Sequence, residues 1–173
     1  MSIYSLDFFG IKRELPIIQI SPNFKVASVN LLGDVELVET ATEKLCEKIK
    51  ELEFDYLVGP EVKVVPLLQS MSKLLNKDRY IVCRKNIVGY MTSPIRSKSQ
   101  TLVLDGRDAN MLTHKKVIIV DDVVTSGKTI SAIDDLMRQV NAQIVAICTV
   151  FTQGDEHLKL EREIIALMQL PLF

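Results

Sequence analysis

Residues 117–129 read VIIVDDVVTSGKT, and no other stretch constrains the fold as tightly. Val117 to Val120 is an uninterrupted β-branched apolar run, the composition of a strand buried on both faces. It ends in two adjacent acids, Asp121 and Asp122, followed by a short loop of hydroxyl residues and a glycine. A helical pattern then runs from about Lys128 to Val140. In an open α/β sheet, ligands bind beyond the carboxyl ends of the strands, so this spacing puts the acids and the loop where a ligand would sit.

The rest of the chain repeats the strand-helix rhythm. Leu37, Val38, Ala41, Leu45, Ile49 and Leu52 recur at helical spacing between Glu36 and Glu53. Tyr56 to Val58 reads as a strand, Gly59-Pro60 as a break, and Val64 to Leu75 as a second helix. Tyr80 to Cys83, Thr101 to Leu104 and Ile144 to Phe151 read as further strands. Alternation of this kind predicts an α/β fold, a mainly parallel twisted sheet flanked by helices. MTSPIRSKSQ, residues 91–100, has little to bury and reads as a mobile loop. The first 35 residues break the rhythm and are expected to form a small N-terminal hood.

At 173 residues the chain suits one domain, 1–173, with the hood over about 1–35 and the core over about 36–155. Leu158, Leu160, Ile164, Ile165, Leu167 and Met168 predict a C-terminal helix over about 156–170. The balance of 21 basic against 22 acidic residues argues against a nucleic-acid partner. No apolar run approaches the ~18 residues needed to span a bilayer. The N-terminus lacks the charge order of a secretory signal, and the expected location is cytoplasmic. Cys46, Cys83 and Cys148 form no C-x-x-C pair, which fits a reducing compartment. His114 and His157 are the only histidines, so a cluster of imidazole ligands is not available and no dedicated protein metal site is expected.

Each residue of the 121–129 segment has a chemical task. Thr125, Ser126 and Thr129 offer hydroxyls, Gly127 permits a tight turn, and the amides opening the next helix, from Lys128 onward, attract an anion. That is a phosphate cradle. Carboxylates beside it would repel a phosphate, so Asp121 and Asp122 suit the hydroxyls of an attached sugar, as in a ribose 5-phosphate. The competing nucleotide P-loop shares Gly127-Lys128-Thr129 but needs a glycine where this chain has Asp122. A strand-to-helix turn without a ligand is the bland alternative, disfavoured because paired acids at a buried strand end are costly without partners.

VIIVDDVVTSGKT resembles the phosphoribosyl-diphosphate (PRPP) signature of type I phosphoribosyltransferases. DYLVGPEVKVVPL, residues 55–67, is similar to the diphosphate loop of the adenine-specific members, with Lys63-Val64 where they usually have Arg-Gly. YIVCRK, residues 80–85, is similar to their strand ending in Arg-Lys, and Phe24 to Asp34 to their purine-binding hood. The resemblance implies that Asp121 and Asp122 hold the ribose 2′ and 3′ hydroxyls and that Thr125, Ser126, Gly127, Lys128 and Thr129 hold the 5-phosphate. It implies that Glu61, Val62, Lys63, Arg84 and Lys85 meet the diphosphate, and that Asp121, Asp122, Arg84 and Lys85 are the catalytic set. For Lys63, Arg84 and Lys85 the competing reading is plain solvated charge.

The implied reaction displaces diphosphate from the anomeric carbon of PRPP by a nitrogen of a nucleobase in base salvage, with Mg2+ carried by PRPP. Residues 91–100, with Arg96 and Lys98, would close as a lid. Val123 would pack on the base, and Val29, Leu31 and Phe24 would line the hood, with core packing the alternative for these four. The lid contains no Glu, which adenine-specific members typically use for the base proton, and Asp105 and Asp108 are weak substitutes. Thr125 stands where hypoxanthine and guanine enzymes carry an acid, and the Lys-x-His-Gly lid pattern of orotate enzymes is missing. Adenine is therefore the leading base, ahead of xanthine, hypoxanthine, guanine and orotate. A non-catalytic PRPP-sensing regulator is the other class weighed. Relatives imply a homodimer.

Overall fold

The computed structural model describes residues 2–22, 24–155 and 162–173. Its centre is a five-stranded sheet of order β10-β9-β8-β4-β5, with every neighbouring pair parallel. The strands are β4 (Tyr56–Pro60), β5 (Ile81–Cys83), β8 (Lys116–Val124), β9 (Gln143–Gln153) and β10 (Ile164–Leu170). Along β8 the side chains alternate between two layers. Ile118 and Val120 pack among residues of α1 (Val35–Ile49) and α2 (Val65–Leu74), while Val117 and Ile119 pack with α3 (Gly106–Leu112) and α4 (Lys128–Gln139). This period of two, with both faces covered, is why the run contains no polar residue before Asp121.

The helices begin where local chemistry satisfies their first amides. Asp34 caps α1 by accepting from Leu37 N at 3.1 Å, and its carboxylate is held by Arg13 of the hood through Nε at 2.7 Å and Nη2 at 2.9 Å. Asp105 caps α3, a helix with no clear periodicity in the sequence, by accepting from Arg107 N at 3.1 Å. α4 opens at Gly127 in the left-handed region, φ 74°, with no side-chain cap.

The hood is an antiparallel sheet of β1 (Ile3–Phe8), β2 (Ile11–Ser21) and β3 (Phe24–Ala27). Its turn places Phe9 and Gly10 at positive φ and is tied by Asp7 accepting from Gly10 N at 2.9 Å. Leu6, Phe8 and Leu15 point inward, and Phe8 meets Phe151 of β9 with ring centroids 5.2 Å apart. The hood therefore shares the core of the first layer.

Two expectations are corrected. Residues 164–170 are a strand rather than the end of a helix; the earlier part of that expectation, 156–161, lies outside the described residues. β10 pairs with β9 from Ile164↔Ile147 to Leu170↔Gln153, satisfying the backbone groups along an edge of β9 that would otherwise be open, and this tertiary gain overrides the helical stripe. Residues 91–100 also carry more secondary structure than a plain loop. β6 (Ile95–Arg96) and β7 (Val103–Leu104) form an antiparallel hairpin outside the main sheet, and Ser97 accepts from Leu102 N at 3.2 Å, so the serines build the turn. No helix among the described residues is long and apolar enough to cross a membrane.

Candidate active site

Gly59 brings two strands unusually close. A Cβ there would stand 2.6 Å from the Val120 carbonyl oxygen and 3.0 Å from Leu68 and Val64, so only glycine lets β4 run beside β8 where β4 nears its carboxyl end, next to the residue before Asp121. Beyond that point lies a cleft of ≈ 550 Å³. Pro60, Glu61, Lys63 and Val64 line it from the loop after β4, Lys85 from the end of β5, and Thr101 and Leu102 from the hairpin. Asp121, Asp122 and Val123 line it from β8, and Lys128 and Thr129 from the start of α4.

Asp121 is only 5% exposed, and its Oδ1 accepts from Asp122 N at 2.9 Å. Burial, and next the charge of Asp122, push its carboxyl well above the ordinary carboxylate range; the positive charge of Lys63 pulls the other way. A buried acid held in this state gains from any hydroxyl that donates to it. Thr125 and Ser126 are half-buried, and the uncapped first turn of α4 presents its amides beside them. Carboxylates that can accept from hydroxyls stand next to amides that can meet an anion, a combination chemically suited to a phosphorylated sugar.

The loop after β4 carries a cis Glu61–Val62 peptide, and Glu61 N donates to the Cys83 carbonyl at 2.8 Å. The Glu61 carboxylate accepts from Lys85 N at 2.7 Å and pairs with Arg84 Nε at 2.8 Å. Lys85 is thereby presented to the cleft. Arg84 faces elsewhere: it lines a separate cleft of ≈ 780 Å³ with Arg79, Arg107, Lys73 and Tyr90. There its Nη1 donates to the Tyr90 hydroxyl and the guanidinium stands over the ring at 5.8 Å. Tyr90, and then Glu61, hold it all the more firmly charged. The expected pairing of Arg84 and Lys85 toward one diphosphate is not what the structure shows, because successive residues beyond a strand point to opposite sides.

The hood residues also divide. Val29 and Leu31 are buried in the core, Phe24 is half-buried on β3, and none of the three lines the cleft. The hood reaches the cleft through backbone instead: Lys63 Nζ donates to the Val29 carbonyl at 3.1 Å. Val123, half-buried, does line it. Asp105 is committed to Thr92 N at 3.1 Å and to Arg107, and Asp108 to Arg79 at 2.7 Å, so both are structural acids away from the cleft. Arg96 lies exposed in β6, and Lys98 leans onto α4. Sequence reasoning missed Pro60, Thr101 and Leu102 as lining residues and Tyr90 as the partner of Arg84; only the Gly59-Pro60 break signalled any of these.

No group of three or more His, Cys, Asp or Glu that would hold a metal ion occurs among the described residues. Of the acids at the cleft, Glu61 is engaged by Arg84 and Lys85, which leaves Asp121 and Asp122.

Residues 30–167 match the family described as phosphoribosyl transferase domain. The chain is 32% identical over 122 residues to the adenine phosphoribosyltransferase of Thermosipho africanus, covering 68% of this chain and 70% of that one. It is 29% identical over 123 residues to that of Petrotoga mobilis, covering 68% and 69%. Among solved structures, the adenine phosphoribosyltransferase of Thermoanaerobacter pseudethanolicus superposes with a TM-score of 0.69 at 22% identity, over 96% of this chain and 95% of that one. The Saccharomyces cerevisiae enzyme, solved with an imino-altritol bisphosphate and adenine, gives 0.66 at 19%, over 95% and 93%. At these identities the structures speak to the fold.

Proposed function

This chain belongs to the phosphoribosyl transferase family, and from that premise we propose that it is a transferase moving phosphoribose from PRPP to adenine in purine salvage. The observation that carries the reading is the cleft at the carboxyl end of β8, where Asp121, Asp122 and the uncapped start of α4 face Lys63 and Lys85. Asp121 and Asp122 accept hydrogen bonds from the ribose 2′ and 3′ hydroxyls. Thr125 through Thr129 hold the 5-phosphate, and the loop at Glu61, Val62 and Lys63, with Lys85, receives the diphosphate.

The bond formed joins a base nitrogen to C1′, the bond broken joins C1′ to diphosphate, and the proton of that nitrogen leaves with the departing diphosphate. The carbon passes through a cationic state, so the protein's work is to align the reactants and exclude water. Asp121 and Asp122 would be the acids available to Mg2+ arriving with PRPP, and the ion would supply positive charge against the departing diphosphate. Lys63 and Lys85 add positive charge where the leaving group sits. The base stacks on Val123 and is bounded by the hood backbone around Val29. The enzyme works in the cytoplasm, in keeping with three buried, free cysteines, and as a homodimer.

The test is diphosphate release from PRPP and Mg2+ with adenine, hypoxanthine, guanine, xanthine and orotate offered separately. Turnover with adenine alone is expected. Turnover with another base reassigns the substrate, and PRPP binding without turnover on any base replaces the enzyme with a PRPP sensor.

A further inference from the structure

The 95–104 hairpin is fastened to α4 by two side chains that no step of the reaction uses. Asp135 Oδ2 accepts from the backbone N of Lys98 at 2.7 Å and from Gln139 Nε2 at 3.0 Å, and its Oδ1 stands 3.5 Å from Lys98 Nζ. Gln139 Nε2 also donates to the Arg96 carbonyl at 3.0 Å. One carboxylate and one amide, a helical turn apart, thus hold the backbone on either side of Ser97, where β6 runs into the hairpin tip.

With this fastening, Lys98 lies outside the lining of the main cleft. Between the tip and α4 lies a depression of ≈ 370 Å³ lined by Lys98, Ser99, Thr101, Ser126, Lys128 and Asp135. Thr101 and Lys128 line the main cleft as well, so a shift of the tip changes both spaces together. Within the tip, Ser97, Ser99 and Thr101 hydroxyls bond one another at 3.1 and 2.7 Å, which lets it move as a unit.

We propose that Asp135 and Gln139 are positioning residues that hold the hairpin on α4 in the substrate-free enzyme, and that letting go is part of the work PRPP does on binding. The proposal rests on the reading of the cleft as the PRPP site. Freed from Asp135, Lys98 can turn toward the diphosphate, and the ion pair it leaves is replaced by one with the substrate. A contact present only in the open form lowers apparent substrate affinity, and removing it raises that affinity.

Limited trypsin digestion after Arg96 and Lys98, with and without PRPP and Mg2+, tests this alongside steady-state kinetics of Asp135→Asn and Gln139→Ala. Expected in both variants are cleavage about tenfold faster without substrate, protection by PRPP, and a KM for PRPP lowered about threefold to tenfold at similar kcat, the scale of one ordinary hydrogen bond's net contribution. Gln139 is exposed, so its variant keeps the test open if Asp135→Asn fails to fold, which circular dichroism reports. Unchanged cleavage overturns the proposal, and so does a raised KM, which would make the docked hairpin the working one. If wild-type protein neither turns over nor is protected by PRPP, the proposed function falls, while the substrate-free cleavage rates still decide the tether.

Discussion

Asp34 and Asp121 are both withdrawn from solvent, one at the start of α1 and one at the end of β8, and their surroundings are opposite. Asp34 accepts from Arg13 Nε, Arg13 Nη2 and Leu37 N, and the Arg13 guanidinium above all holds its carboxyl below the ordinary range. Asp121 has one backbone donor, from a residue that is itself an acid, and its carboxyl is pushed up by burial. The first acid completes its bonds within the fold and fixes the hood to the core. The second leaves acceptors open, at a cost to stability that a ligand's hydroxyls offset. The acid bonded within the fold marks a joint here, and the one with few protein donors lines the cleft.

The sharpest way to break this comparison is Asp121→Asn with Asp122→Asn. PRPP turnover should fall by about a hundredfold or more, the scale of losing two hydrogen bonds to charged acceptors. The urea midpoint of the substrate-free protein should rise or stay level. A fall in stability would mean that the acids serve the fold. Gly59→Ala should do the reverse and damage the fold first. The added methyl cannot be accommodated 2.6 Å from the Val120 carbonyl without parting β4 from β8, an overpacking cost of about 1–3 kcal/mol, read by urea unfolding.

Asp34→Ala should cost about 1 kcal/mol through the lost cap alone and leave the KM for PRPP within about twofold. A larger kinetic effect would show that the hood joint and the cleft are coupled. The smallest effects are in pH dependence, where the two acids carry opposite signs. Asp34 stabilises above its unfolded pKa of about 3.9, and that contribution is lost as pH falls through its lower folded value. Asp121 binds its proton more tightly in the folded state, so stability declines as pH rises from about 3.9 through its raised folded value. Urea midpoints followed across that range should lose the acid-side decline in Asp34→Ala and the alkaline-side decline in Asp121→Asn.

The parts legible beforehand are those whose geometry is local. From Val117 to Thr129 an uninterrupted apolar run, two acids, a glycine and a helix follow one another, and the backbone carries them to one place whatever surrounds them. The same holds for α1, where apolar spacing and a capping acid lie within one segment. The stretch 164–170 is different. Its leucines and methionine suit a helix, and the open edge of β9, supplied by residues 147–153, makes it a strand. The first half of the hairpin, 95–100, read as a loop because its serines bond to one another and its anchors, Asp135 and Gln139, lie on another element, whereas β7 falls inside the strand expected over 101–104.

Arg84 and Lys85 show the division most finely. Adjacent in the chain and alike in charge, they could be assigned to one ligand from sequence, but Glu61 and Tyr90 hold the first toward a second cleft while the second faces the Asp121 cleft. The sequence by itself determined the chemistry of the cleft and its place at a strand end, because backbone periodicity and a glycine act over neighbouring residues. Only the tertiary structure decided which charges face that cleft and which segment closes the sheet, because those outcomes depend on partners brought together by packing.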